Sequence, residues 1–277
     1  MTPEALPTVA TAYAKINLAL HVRRRRDDGY HELETAFAFV DQGDTLSARP
    51  VEADTLRQHG EFADAMGLPF GNLAMRALSS LPRSSGIEIA LEKTLPVAAG
   101  LGGGSADAGA VFRIVREMFG LPDDWQERAA KLGADVPACV ESEACIGRGT
   151  GTELGPLEND MAGMPVLLVN PRVAVSTSDV YAAWDGTDAG PLEGKTAREI
   201  VDCNRNDLER IVTENLAVED VVHVLNALSD TDPLVRRMSG SGATCFALYD
   251  TAEMRDAARA SIQAHAPDWW TLSGNLR

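Results

Sequence analysis

The chain has 277 residues, 45% of them hydrophobic and 24% charged, with a net charge of −16 at neutral pH. That length exceeds one core of usual size and suits two domains of about 130 residues each, and the apolar content excludes disordered and fibrous classes. The negative field excludes nucleic acid and opposes anionic small molecules, so a phosphate site must rest on backbone amides and a few placed cations.

Residues 13–22 alternate, with Ile16, Leu18, Leu20 and Val22 on one face and Lys15, Asn17, Ala19 and His21 on the other. This period of two predicts a half-buried strand. The basic run at 23–26 reads as a solvated hairpin end. Asp27-Asp28-Gly29 is a turn, and an apolar run through Phe37, Phe39 and Val40 brings the chain back as a hairpin or meander. Residues 72–81 read as a helix, and 86–92 as a strand with Ile87, Ile89 and Leu91 inward. Ala108, Val111, Phe112, Val115 and Phe119 keep helical spacing and predict a helix over about 105–119. A shorter helix near 124–132 ends at Gly133 as a C-cap.

Residues 153–165 carry glycine, proline and charge with little periodicity and mark a boundary, giving domains 1–158 and 159–277. Beyond it come a strand at 165–169, helices at 176–184, 206–216 and 217–229, strand–turn–strand across 235–249, a helix at 251–264 and a strand near 269–273. Mixing without a βαβ period predicts an α+β fold. Cys139, Cys145, Cys203 and Cys245 show no metal-ligand spacing and read as reduced thiols of a cytoplasmic protein. Residues 1–15 lack the features of an export signal, and no apolar run approaches a membrane span.

The most informative segment is 96–108, Pro-Val-Ala-Ala-Gly-Leu-Gly-Gly-Gly-Ser-Ala-Asp-Ala. Gly102, Gly103 and Gly104 precede a predicted helix. Glycine allows positive φ and close approach of amides to an anion, and the helix start adds unpaired N–H groups and a positive dipole end, which together make a phosphate cradle. No Gly-Lys-Ser/Thr follows and the G-x-G-x-x-G register is absent, so it is neither a Walker loop nor a dinucleotide fingerprint. The bland alternative is a flexible loop with a glycine-rich helix entry. Ser105 reads either as an N-cap or as a hydroxyl near the phosphates or their Mg2+.

This segment resembles the second motif of the GHMP kinases, the family of galactokinase, homoserine kinase and mevalonate kinase. AKINLAL (14–20) is similar to the first motif and MSGSGATCFALY (238–249) to the third. Within the family, Ala14-Lys15-Ile16-Asn17-Leu18, Arg26, Asp28-Gly29-Tyr30-His31-Glu32-Leu33 and Leu132-Gly133-Ala134-Asp135-Val136-Pro137 resemble the branch that acts on a CDP-linked methylerythritol. The resemblance implies a two-domain α+β fold: an N-terminal domain like ribosomal protein S5 domain 2, a ferredoxin-like C-terminal domain, and an active site in the cleft between them. It implies ATP with Mg2+, phosphorylation of the substrate's 2-hydroxyl on the non-mevalonate route to isoprenoid precursors, small molecules as the only partners, and a monomer or weak homodimer without nucleic-acid or membrane contacts. A GHMP kinase for homoserine, mevalonate or a sugar is the alternative. A catalytically dead module on the same fold is a third reading.

In phosphoryl transfer the attacking hydroxyl loses a proton, which a carboxylate can accept. By local sequence Asp135 is either an N-cap aspartate or such a base, and Lys15 is a strand lysine that needs a partner or a path to water. The resemblance makes the two catalytic, side by side at the reacting hydroxyl. It gives Pro96, Val97, Ala98, Ala99, Gly100, Leu101, Gly102, Gly103, Gly104, Ser105 and Ala106 to the nucleotide, with Asn72 near the purine. Asn17, Tyr30, His31, Thr177 and Tyr181 go to the substrate, the aromatic groups at its cytidine end, where a ring can stack on the base. Protein ligands of Mg2+ stay unassigned. One departure stands out. Relatives often read Gly-Gly-Gly-Ser-Ser-Asn where this chain has Ala106 and Asp107, placing a carboxylate within the first helical turn, where it disfavours phosphate contact by that side chain.

Overall fold

A computed structural model describes residues 7–68 and 71–277; the first six residues of the stretch read for an export signal lie outside it. The chain divides into two compact units. One comprises the described residues up to Ala14 together with 43–97 and 102–142; the other comprises 15–42, 98–101 and 143–277. The units interleave along the chain, whereas the division at 158 and 159 follows sequence order. Strands β1 (Thr8–Arg25) and β2 (His31–Val51) pair with each other and run through both units.

In the first unit, β3 (Thr55–His59) lies parallel to β4 (Gly86–Glu92), and β4 pairs antiparallel with residues 45–51 of β2. The alternation of 86–92 appears as expected, with Ile87, Ile89 and Leu91 fully buried. The helices are α1 (Leu73–Ser80), α2 (Gly103–Phe119), α3 (Trp125–Leu132) and α4 (Val136–Glu141). Helix α2 is the centre of the packing, flanked by α1 and α4. Gly109 makes its contact with α4 possible, because a Cβ there would lie 2.3 Å from the Cys139 carbonyl oxygen. Arg113 donates to the carbonyls of Cys139 and Val140 at 2.7 and 2.9 Å, satisfying the end of α4. Gly133 ends α3 as predicted, with an extended φ of 172° rather than a left-handed one.

In the second unit, residues 33–37 of β2 pair with β5 (Cys145–Gly149), which pairs in turn with β6 (Glu153–Pro156). A separate four-stranded antiparallel sheet contains β7 (Pro165–Asn170), β8 (Val235–Met238), β9 (Cys245–Leu248) and β10 (Trp270–Asn275) in the order β10-β7-β9-β8. Helices α5 (Thr177–Ala182), α6 (Ala197–Cys203), α7 (Asp207–Arg210) and α8 (Glu219–Ser229) connect β7 to β8, and α9 (Ala252–His265) connects β9 to β10. Strand order 4-1-3-2 with helices in the two crossovers is the ferredoxin-like arrangement. Its core joins Leu167, Val169, Val224, Leu228, Cys245 and Ile262, among others.

Two local expectations change. The strand over 13–22 extends to Thr8–Arg25 and is buried on both faces: Lys15, Asn17 and His21 are each at most 5% exposed. Polar side chains survive there because each bonds within the unit, His21 to the Gly190 carbonyl and Asn17 to Thr35. The helix expected at 206–216 is α7 followed by a π-helical turn, Ile211–Asn215.

Candidate active site

In the second unit the opening strand, the start of the glycine loop and the strand–turn–strand segment meet. Lys15 N–H donates to the Leu101 carbonyl at 3.0 Å, and Thr244 N–H to the Ala99 carbonyl at 3.2 Å. Ser239 Oγ donates to the Gly100 carbonyl at 2.8 Å and accepts from Asn17 N–H at 3.3 Å. Gly100 has φ 78° and no room for a side chain: a Cβ would lie 2.2 Å from the Ser239 carbonyl oxygen. Ala98 is held at φ 54°, a region most residues avoid and one that recurs at ligand-binding turns. Lys15 Nζ donates to Asn17 Oδ1 at 2.9 Å and sits 5.2 Å from the centre of the Phe37 ring. Asn17 Nδ2 donates to Thr35 Oγ1, which donates to the Ala19 carbonyl. The N–H and both side-chain polar atoms of Asn17 are thus engaged, and its Oδ1 holds the lysine.

The same unit carries an aromatic cluster. The His31 ring lies 5.1 Å from that of Tyr181 and meets Trp184 edge-on at 5.6 Å. Arg25 Nε donates to His31 Nε2 at 3.4 Å, which makes Nε2 the acceptor and leaves Nδ1 as the proton-bearing nitrogen. Burial, with Arg25 nearby, holds His31 below the usual imidazole range, so the ring is neutral at pH 7. Trp184 was not anticipated; the sequence signal was its spacing of three from Tyr181 at the end of α5. Thr177 Oγ1 shares a 2.8 Å hydrogen bond with Ser241 Oγ, tying the start of α5 to the glycine-serine turn. Tyr30 does not join the cluster; it is 66% exposed, with its N–H donated to Asp28.

In the first unit, helix α2 begins at Gly103 with Gly102 as its N-cap, at φ 62°. This corrects two placements. Ser105 lies inside the helix and does not cap it, and Asp107 falls in the second turn rather than the first. The helix could start earlier than apolar spacing indicated because Gly102 supplies the left-handed entry that a side chain resists. Asn72 caps α1, its Oδ1 accepting from Ala74 N–H at 2.8 Å, while its buried Nδ2 has no partner. A Cβ on Gly104 would meet Leu73 Cδ1 at 3.3 Å, so the two helix starts adjoin. Pro96 and Val97 precede the loop in this unit, Val97 being exposed and Pro96 buried. Asp135 occupies the N-cap position of α4 and makes no side-chain capping bond. A Cβ on Gly133 would lie 3.9 Å from Ser105 Oγ, so the turn carrying Asp135 faces the start of α2.

Among the described residues, no group of three or more His, Cys, Asp or Glu side chains could hold a metal ion. No helix among them is long and apolar enough to cross a membrane.

Residues 72–143 match the family model described as "GHMP kinases N terminal domain". The fold recurs in solved small-molecule kinases of low identity: a homoserine kinase from Cytophaga hutchinsonii (18% identical, TM-score 0.61, covering 96% of this chain and 95% of that one) and the Methanococcus jannaschii mevalonate kinase (11%, 0.61, 99% and 100%). The architecture is therefore that of a GHMP kinase.

Relatives narrow the class. The 4-diphosphocytidyl-2-C-methyl-D-erythritol kinase of Novosphingobium aromaticivorans is 64% identical over 96% of this chain and 92% of its own, and that of Erythrobacter litoralis 61% over 96% and 98%. A crystal structure of 4-(cytidine 5'-diphospho)-2C-methyl-D-erythritol kinase superposes with TM-score 0.83 at 30% identity, covering 97% and 99%. The chain belongs to the 4-diphosphocytidyl-2-C-methyl-D-erythritol kinase family.

Proposed function

We propose that this protein transfers the γ-phosphoryl group of ATP to the 2-hydroxyl of 4-diphosphocytidyl-2-C-methyl-D-erythritol, releasing ADP and the 2-phosphate, as a cytoplasmic step of the non-mevalonate route. The observation that carries this is the apposition of the α2 start and the Asp135 turn. A run of backbone N–H groups suited to a triphosphate then stands across from a carboxylate suited to a hydroxyl proton.

In this reading Asp135 accepts the proton of the attacking hydroxyl. Lys15, oriented by Asn17, supplies positive charge that stabilises the transferring group. Residues 96–106 hold the phosphates, chiefly through main-chain N–H groups, and Mg2+ arrives with the triphosphate as part of that substrate. The unpartnered Asn72 Nδ2 offers a donor to a purine ring nitrogen. At the other end, His31 with its Nδ1–H, Tyr181 and Thr177 bind the cytidine, and Tyr30 covers it from an exposed position. The chain works as two domains, 1–158 and 159–277, and as a monomer or weak homodimer without nucleic-acid or membrane partners.

The test is a coupled ADP-release assay over a panel of alcohols: the CDP-linked methylerythritol, the same alcohol phosphate without cytidine, homoserine, mevalonate and galactose. Turnover restricted to the first supports the reading, and equal turnover without the cytidine defeats it. Lys15 and Asp135 lie in different units, so a double-mutant cycle on kcat is the direct check that they serve one step.

A further inference from the structure

Lys93, Asp44 and Asp107 form a buried ionic cluster with no part in the chemistry above. Lys93 Nζ donates to Asp44 Oδ2 at 2.5 Å and to Asp107 Oδ2 at 2.8 Å, and each residue is at most 1% exposed. Asp44 is fully provided for, since its other oxygen accepts the N–H groups of Thr94 and Leu95 at 2.6 and 2.8 Å. Asp107 is not: its Oδ1 is buried without any partner.

With both carboxylates ionised, one ammonium faces two negative charges, and an anionic oxygen sits in the interior without a donor. Burying such an anionic oxygen unpaired is costly, whereas a neutral O–H without an acceptor costs far less. A proton on Asp107 leaves the neutral pair Lys93–Asp44 and an uncharged carboxylic acid. The cluster also lies against the phosphate loop: a Cβ on Gly103, the first residue of α2, would lie 3.1 Å from Lys93 Nζ.

We propose that Asp107 is the proton-bearing member of this cluster when nucleotide is bound, so that ATP binding is coupled to proton uptake at this carboxyl. The inference rests on the glycine loop being the ATP site. Negative charge arriving on the first turn of α2 disfavours a second anion one turn further on and favours the acid. Burial already pushes the Asp107 carboxyl up to about 7, opposed by Lys93 and reinforced by Asp44. The other elements packed on α2 add little charge. Helix α1 presents Ala74, Ala77 and Leu78, α3 presents Trp125, and α4 presents the buried Cys139, with Asp135 at its start and Glu141, paired with Arg116 of α2, at its end. Asp107 is a positioning residue here: by staying neutral it lets Lys93 pair with Asp44 and leaves the amides of Gly103 and Gly104 to the phosphates.

The experiment is isothermal titration calorimetry of the full chain with the Mg2+ complex of the β,γ-imido analogue of ATP. It is run from about pH 6 to about pH 9 in buffers of different ionisation heat, for wild type and Asp107→Asn. Wild type takes up a proton above pH 7, and its affinity falls by up to about tenfold per pH unit beyond the free-state titration. Asp107→Asn, a permanently neutral isostere, retains only the nucleotide's own proton linkage and binds more tightly than wild type at the alkaline end. Equal proton uptake in the two proteins overturns the proposal. Should the variant misfold, carboxyl-carbon NMR of wild type with bound analogue at about pH 8 decides: a protonated Asp107 supports the proposal and an ionised one overturns it. Failure of folded wild type to bind the analogue at any pH is a different result, and it removes the ATP reading together with the proposal.

Discussion

Two glycines of the phosphate loop separate a structural requirement from a functional one. Gly100 sits at φ 78°, and a Cβ there would lie 2.2 Å from the Ser239 carbonyl oxygen, which is main chain and cannot rotate away. In Gly100→Ala the left-handed backbone costs roughly 1–2 kcal/mol. Relieving an overlap of more than about 1 Å adds overpacking strain of about 1–3 kcal/mol, for a total of about 2–5 kcal/mol. Gly104 is the opposite case. It lies in the first turn of α2, and its nearest neighbour is the end of a flexible side chain, Leu73 Cδ1 at 3.3 Å. Alanine there favours the helix by about 0.5–1 kcal/mol, so Gly104→Ala folds as well as wild type or better. If the α2 start cradles phosphate, however, the new methyl group stands where the anion approaches. Losing one charge-assisted hydrogen bond, worth about 1.5–3 kcal/mol, raises KM for ATP about 10- to 150-fold. Urea denaturation and steady-state kinetics on both variants read the two effects separately. An unchanged KM for ATP in a stable Gly104→Ala protein would refute the placement of the triphosphate.

Asp135→Asn lowers kcat by about 10²–10⁴ while leaving KM for ATP within a few-fold, as single-turnover kinetics will show. Tyr181→Ala removes a ring packed on His31 and raises KM for the CDP-linked alcohol by an amount worth about 1–3 kcal/mol, with ATP kinetics unaffected. His31 is held below its unfolded value, so its contribution is complete above about pH 6.5 and is lost as pH falls through that value toward the folded one. Melting temperature against pH therefore drops less steeply in acid for His31→Gln than for wild type. Asp44→Ala leaves the buried Lys93 ammonium with only Asp107 and strips acceptors from Thr94 and Leu95, costing about 3–5 kcal/mol in denaturant titrations.

What was legible in the sequence followed from periodicity and from glycine. Strand β4 and helices α2 and α8 are long and patterned enough to announce themselves, and the segment 235–249 holds its two strands where the turn residues placed them. The short elements were not legible. Strand β3, Thr-Leu-Arg-Gln-His, earns its place by parallel pairing with β4 rather than by apolar alternation, and β5, β6 and α6 are too brief for a period to register; of α4 only the start was legible, through Asp135 as an N-cap. Burial of β1 on both faces was also hidden, because Lys15, Asn17 and His21 read as an exposed face until the partners that satisfy them are seen. At the site, motif residues were legible and their supports were not. Nothing in the spacing joined Trp184 to His31, Ser239 to Gly100, or Asp44 and Lys93 to Asp107, since these pairings lie 14 to 153 positions apart or cross several elements.

The net charge of −16 makes the charge economy of the loop the central physical question for a protein that handles two polyanions. Surface cations offer no general attraction, and the exposed arginines are largely engaged with carboxylates, as Arg26 is with Asp28 and Glu32 and Arg116 with Glu141. Favourable potential must then come from groups that bring no mobile charge: the N–H groups at the start of α2 and the peptide dipoles behind them. Such a source is short-ranged and sensitive to any negative neighbour. An ionised Asp107 one turn down the same helix would cancel much of it, since a unit charge outweighs the roughly half charge of a helix end. The sequence tolerates an acid at that position because the interior offers two remedies, the Lys93 ammonium and a proton, and the unpartnered Oδ1 shows that the ammonium alone does not complete the balance. A homologous loop with asparagine in place of Asp107 needs neither remedy, and its nucleotide affinity should therefore vary less with pH than that of this chain.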